Sequence, residues 1–431
     1  MAIFKNIKDS AHIDAFLVKL GVDRSRSMAL ALEKVSGILE RILKGGDKAL
    51  AQLAKEIDNV YISPESFFLS KDEIDSQSEK LPSAEKKALE ESTKHLECFF
   101  GKEKYLTNRV KIEEGGFLEL EFQPIERVGL YVPGGKGLYP SSVLMLGVPA
   151  LLAGVQEKVL VTPVLDREFS PALAYACKIA GINEVLRVGG PHGLAAIGVG
   201  TKRIKKVDKI FGPGNQFVTA MKKLLFGYVG IDMLAGPSEI VIITDESSDP
   251  SFVWLDALAQ LEHGSNEELA IVISLSENFM VIFNEEKGRL IAENPRISNK
   301  IKMYENKVIF LNVLTLELAI QLANKIAPEH LSIQIKDSFS LKEKIKNAGA
   351  IFLGPYTPVA LGDYSLGTNH VLPTSGSAKF WSCLSIIDFL KRRSTAYITK
   401  DAYEMYAEPA KLLCSLEGFE IHGLSIQERL K

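Results

Sequence analysis

The chain has 431 residues, too many for one ordinary core, so two or more domains are expected. Hydrophobic residues make up 46% and charged residues 24%, the balance of a soluble globular protein. The net charge is -3 and there is no long basic run, which argues against nucleic acid as the main partner. The four cysteines, Cys98, Cys177, Cys383 and Cys414, are scattered without a C-x-x-C. They suggest neither a thiolate zinc site nor a disulfide framework, and a reducing cytosol fits. The first residues lack a signal-peptide pattern. The longest apolar run, around Val143–Val155, is broken by Gly147, Pro149 and Gly154 and is too short to span a bilayer.

In chain order, residues 1–25 read as a short adapter segment. Ser27 to Asp58 reads as helical, with Leu30, Leu32, Val35, Ile38, Leu39 and Ile42 at helical spacing. Lys44-Gly-Gly-Asp47 interrupts it, with Asp47 as an N-cap. Lys71 to Lys104 is helical and charged, a solvated face, with Pro82 starting a new helix. From Val110 to Phe122 the pattern alternates around Gly115-Gly116, which predicts a hairpin. Strand-length apolar runs then alternate with helical segments. The strand candidates are the run from Arg127, Lys158–Val161, Glu184–Val188, Lys206–Phe211 and Ile240–Thr244, then Leu269–Ser274, Lys307–Leu311, Leu331–Ile335 and Ala350–Leu353. That alternation predicts two Rossmann-like α/β domains with parallel sheets. After about Phe380 the chain reads as short and helical.

Three glycine-rich loops follow predicted strands: Val132-Pro-Gly-Gly-Lys-Gly137, Val188-Gly-Gly-Pro-His-Gly193 and Phe211-Gly-Pro-Gly-Asn215. Glycines there let the backbone approach a phosphate closely, or simply make turns. None matches G-x-G-x-x-G, so the loops alone give weak support for NAD. Asp256 to His263, read as one helix, places Gln260 and His263 on one face with both lone pairs available. Such a pair is half of a metal site; alone, it is most often a polar helix face. Ala327-Pro-Glu-His-Leu331 sets Glu329 beside His330, Gly362-Asp-Tyr-Ser-Leu-Gly-Thr-Asn-His370 is a polar loop carrying Asp363, and Glu417-Gly-Phe-Glu-Ile-His422 brings a histidine near the C-terminus. A Gln oxygen, an Asp oxygen and two imidazoles suit Zn²⁺, and also Mn²⁺ or Co²⁺. A carboxylate beside an imidazole suits general-base work near neutral pH.

These stretches, together with Gly129-Leu-Tyr-Val-Pro-Gly-Gly and Asp232-Met-Leu-Ala-Gly-Pro-Ser-Glu239, resemble the motifs of the histidinol dehydrogenases, in that family's order and over roughly residues 25–425. The resemblance implies a cytoplasmic homodimer that oxidises L-histidinol to L-histidine through the aldehyde, with two NAD⁺ and one Zn²⁺ per subunit. It implies Gln260, His263, Asp363 and His422 as metal ligands, the last arriving from the partner subunit. Glu329 and His330 would transfer protons. Ser238, Glu417, His330 and the metal ligands would surround the substrate, and Tyr131, His192 and Asn215 would contact NAD. His192 departs from the family, which usually has Gln there, and this bears on NAD affinity. The chain is expected to divide into the adapter, a first α/β domain over 26–130 and 238–380 with most metal and catalytic residues, a second over 131–237 on the NAD side, and a small helical C-terminal domain over 381–431. Two other classes stay open on the residues themselves: a metal-dependent hydrolase with Glu329 as base, and a non-catalytic binding protein.

Overall fold

A computed structural model of the chain describes residues 3–103, 105, 107–134, 137–164, 168–263 and 267–431. Met1, Ala2, Lys104 and the Gly135-Lys136 pair of the first glycine-rich loop, all within segments interpreted from the sequence, lie outside the described residues. The chain forms two units, one of Met1–Lys102 with Glu126–Ile386 and a smaller one of Glu103–Ile125 with Ile387–Lys431.

The larger unit holds two six-stranded sheets. In space the first runs Ile3–Ile7, Val308–Val313, Leu269–Ser274, Glu239–Thr244, His330–Gln334, Ala350–Leu353, all neighbours parallel. The second runs Phe68–Leu69, Glu184–Leu186, Glu157–Val161, Arg127–Tyr131, Lys209–Phe211, Gly230–Ile231, parallel except at Phe68–Leu69. Each half therefore has the same winding. Setting aside the edge strands Ile3–Ile7 and Phe68–Leu69, the first strand of each half lies centrally, the next two extend one way and the following two the other. That order makes one topological switch point per half, beside Glu239–Thr244 in one and Arg127–Tyr131 in the other.

Alternation along a buried strand explains the layers. Ile240 and Ile242 pack into a core with Val253, Trp254, Leu261 and Phe283, while Val241 and Ile243 pack oppositely with Leu322, Ile326 and Ile333. Trp254 and Phe283 stack at 4.2 Å between ring centroids. The helix Pro250–Leu261 is thereby fixed against the sheet, its C-terminal end returning to the amino ends of the strands.

The N-terminal helix starts earlier than its periodicity indicated. It spans Ser10–Asp58, capped by the Asp9 side chain, and kinks at Gly46 (φ 53°) inside the expected break. Asp47, expected as an N-cap, instead accepts hydrogen bonds from the Thr201 hydroxyl and the Arg203 backbone N–H. Ile3–Ile7, in the segment read as an adapter, extends the edge of the first sheet. No helix among the described residues is long and apolar enough to cross a membrane.

The smaller unit contains the expected hairpin, Asn108–Lys111 against Gly116–Pro124. A third strand that sequence reading missed, Leu390–Ile398, pairs antiparallel with Gly116–Pro124. Its Lys-Arg-Arg-Ser run lacks a clean apolar alternation because the strand is held partly by charge: Arg393 bonds Glu121 at 2.7 Å. The helices Lys400–Glu417 and Glu420–Gln427 follow, joined where the Tyr403 hydroxyl donates to the Ile426 carbonyl at 2.9 Å.

Candidate active site

Glu329 and His330 stand where the helix Leu316–Ile326 ends in a left-handed Ala327 (φ 51°) and the chain turns into the strand His330–Gln334. Both side chains are buried. Both are gripped by the backbone of one residue on the neighbouring strand. The Glu239 N–H donates to Glu329 Oε2 at 2.9 Å, and His330 Nδ1 donates to the Glu239 carbonyl at 3.2 Å. A carbonyl can only accept, so Nδ1 carries a proton. His330 Nε2 is buried and without a hydrogen-bond partner among the described residues. It lies 3.8 Å from Asp363 Oδ1, and Nδ1 lies 3.5 Å from Glu329 Oε2. Burial opposes protonation of this imidazole, but the charges of Glu329 and Asp363 and the Glu239 carbonyl outweigh it and raise the pKa to about 9.

Asp363 sits in the short helix Val359–Tyr364 with its side chain 17% exposed. Its carbonyl accepts from His370 Nδ1 at 2.9 Å, and His370 Nε2 then accepts from the Ser142 hydroxyl at 3.0 Å. Burial lowers the His370 pKa against the pull of Asp363. Sequence reasoning quoted the loop that ends in His370 but gave the residue no role; Ser142 carried no signal.

Gln260 is 2% exposed, and its amide nitrogen has no partner among the described residues. The helix that carries it ends at Leu261, so His263 lies in the following turn and is exposed, not on the same helix as expected. Between the helix and the strand, Asp256 Oδ2 accepts from the Gln334 amide at 2.8 Å, a pairing that neither motif predicted. Ser238 is half-buried and precedes the strand Glu239–Thr244. Its carbonyl accepts from the Leu269 N–H at 3.2 Å.

The three expected NAD contacts belong to the other half of this unit. Tyr131 ends its strand and is buried, which pushes its phenol pKa up. Asn215 follows Lys209–Phe211 and caps the helix Gln216–Leu225, accepting from the Phe217 and Val218 N–H groups at 3.0 and 3.1 Å. His192 is 0% exposed, with Nε2 3.1 Å from Asp58 Oδ2 and Nδ1 unpartnered among the described residues. Its first partner is thus a carboxylate at the end of the long N-terminal helix, which no motif signalled.

Glu417 and His422 lie in the smaller unit. Glu417 closes its helix before a left-handed Gly418 (φ 74°), and His422 packs its ring 5.2 Å from that of Phe419. Both are exposed.

A doubly wound pair of α/β halves, with a carboxylate–imidazole cluster at one sheet's amino edge and glycine loops at the other's carboxyl edge, is the arrangement of an α/β enzyme. Comparison with known proteins makes it specific. The histidinol dehydrogenase family profile matches residues 23–430. The histidinol dehydrogenase of Aquifex aeolicus is 41% identical over 400 residues, 92% of each chain. That of Listeria monocytogenes is 38% identical over 420 residues, 97% of this chain and 98% of its own. The crystal structure of histidinol dehydrogenase from Elizabethkingia anophelis superposes with a TM-score of 0.85 at 33% identity, covering 92% of both chains. The chain belongs to the histidinol dehydrogenase family, and is an oxidoreductase.

Proposed function

We propose that this chain oxidises L-histidinol to L-histidine through the aldehyde, consuming two NAD⁺, as a cytoplasmic homodimer with one Zn²⁺ per subunit. The observation that carries this is the clamp of Glu329 and His330 on Glu239, which leaves His330 Nε2 buried, without a hydrogen-bond partner among the described residues, and 3.8 Å from Asp363 Oδ1.

The donor set fits zinc by chemistry. Among the described residues the buried Gln260 amide nitrogen has no hydrogen-bond partner, and an amide oxygen, the Asp363 carboxylate and the His263 imidazole are donors of the types zinc takes. Among the described residues no group of three His, Cys, Asp or Glu could hold a metal unaided. The proposed set accordingly adds the amide oxygen of Gln260 and the partner subunit's His422. The carboxyl edge of the second sheet fits a dinucleotide. Its switch point is lined by glycine turns at Gly190 (φ 59°) and Gly212 (φ 116°) and by a capped helix start. When bound, zinc supplies an anchor that orients the imidazole and amine of histidinol, and NAD⁺ supplies the hydride acceptor.

The protein's own residues then handle protons and position. His330 Nε2 takes the alcohol proton as hydride leaves, while Nδ1–H stays on the Glu239 carbonyl and fixes the tautomer. His330 must be neutral to do so, and any neutralisation of the Asp363 charge favours that state. The aldehyde must be hydrated before a second hydride can leave. Glu329, held at one oxygen by the Glu239 N–H, activates that water through the other. Ser238, Glu417 and the ligand residues Gln260, His263, Asp363 and His422 surround the substrate. Tyr131, His192 and Asn215 line the NAD side.

His330→Asn should depress both oxidations by about 10²–10⁴-fold. Glu329→Gln should slow conversion of the aldehyde far more than its formation. Stopped-flow NADH traces starting from histidinol and from its aldehyde distinguish the steps. Equal losses in both steps for both variants would rule out this division of roles.

A further inference from the structure

Lys222 and Asp232 form an ion pair that the proposed reaction does not use. The Lys222 side chain is 2% exposed and the Asp232 side chain 1%. Their contacts converge on one glycine. Lys222 Nζ donates to the Gly212 carbonyl at 2.9 Å, and Asp232 Oδ2 accepts from the Gly212 N–H at 2.7 Å. Asp232 Oδ1 accepts from Lys222 and from the Met233 N–H. Both backbone polar groups of Gly212 are thus bound by a single ion pair.

Gly212 is the first residue after the strand Lys209–Phe211, at the switch point of the second sheet. Its φ is 116°, and a Cβ there would stand 2.1 Å from the Tyr131 carbonyl oxygen, so no other residue fits without a shift. The far end of the loop is fixed by the Asn215 cap. One turn on, the Thr219 hydroxyl donates to the Ala235 carbonyl at 2.6 Å and ties the same helix to the segment after Asp232. A desolvated ion pair is weak evidence for stability, since apolar residues of similar volume often hold a helix as well. What an ion pair adds is a fixed direction for each hydrogen bond.

We propose that Lys222 and Asp232 are positioning residues that hold the loop Gly212–Asn215 in the shape that receives the dinucleotide, and so set cofactor affinity without moving a proton or hydride. This rests on the proposed use of NAD at that edge.

The test replaces both charges at once, Lys222→Met with Asp232→Leu, so that neither is left buried alone. NADH fluorescence titration, calorimetry with histidinol and steady-state rates are measured on the full zinc-loaded chain. The double variant should bind NADH at least tenfold more weakly, with KM for NAD⁺ raised to match. Its kcat should stay within twofold and its histidinol affinity should be unchanged. Unaltered NADH affinity overturns the clamp. So does parallel weakening of NADH and histidinol, which marks a general loosening. A wild-type chain that binds no NADH overturns the cofactor assignment itself, before any substitution is made. If the double variant fails to fold, Asp232→Asn keeps the shape and an acceptor for Lys222 but loses the Gly212 N–H, and the same titration decides.

Discussion

The peptide groups of Glu239 hydrogen-bond Glu329 and His330, setting the position of one and the tautomer of the other. At the same scale, Asp256 shows what a buried carboxylate costs. Burial raises its pKa to about 6, against the opposing hydrogen bond from Gln334. Because the folded value lies above the ordinary 3.8, the stability linked to its proton is full below that and is lost as the pH rises through about 6. Asp256→Asn keeps an acceptor for the Gln334 amide. It should stabilise the fold by about 1–3 kcal/mol near pH 8 and by far less near pH 4. Denaturant unfolding at the two pH values checks this; an equal gain at both would show that Asp256 does not titrate in the fold. The Glu329-His330 pair was legible in the sequence because its side chains are chemically distinctive. The Glu239 clamp was not, because every residue but proline carries the same N–H and C=O.

Elements set the site by close approach. The Gly349 N–H donates to the Pro328 carbonyl at 2.8 Å, and a Cβ on Gly349 would stand 2.6 Å from the Glu329 carbonyl oxygen. Gly349→Ala should therefore push back the turn that carries Glu329-His330. It should cost about 1–3 kcal/mol of stability and reduce kcat/KM more than a distant substitution of equal cost would. A variant with lowered melting temperature but full activity would show that the turn tolerates displacement. Buried strands such as Leu269–Ser274 and Ala350–Leu353 were legible as apolar runs at their observed bounds. Phe68–Leu69 and Gly230–Ile231 are two-residue edge strands, too short to leave a period. Leu390–Ile398 was hidden because its partners, not its own pattern, make it a strand. Gln260 and His263 share a face only if the helix continues, and it ends at Leu261.

Across the larger unit, the two halves share one winding but use opposite edges. The second half presents its switch point with glycine loops. The corresponding edge of the first half is stitched: the Ser248 hydroxyl donates to the Gln334 carbonyl at 2.5 Å, and the Lys336 N–H donates to Asp245 at 3.3 Å. Its proposed acid–base and ligand residues lie at the amino ends instead, where Glu329, His330 and Gln260 arrive from a strand start and a returning helix. On the proposed reading, a repeated fold yields one nucleotide edge and one proton-transfer edge. The repeat was hard to see in the sequence because each half is specified by buried apolar runs that many residues satisfy. In the smaller unit, Leu416, Ile421 and Leu424 are exposed beside Glu417 and His422.

The most direct measurement is absorbance at the NADH band with the purified chain, histidinol, NAD⁺ and Zn²⁺, repeated after chelation. Two NADH per histidinol, lost on chelation and restored by zinc, is the expected result. One NADH with accumulating aldehyde, or no NADH while zinc is demonstrably bound, would contradict a four-electron oxidation at this site.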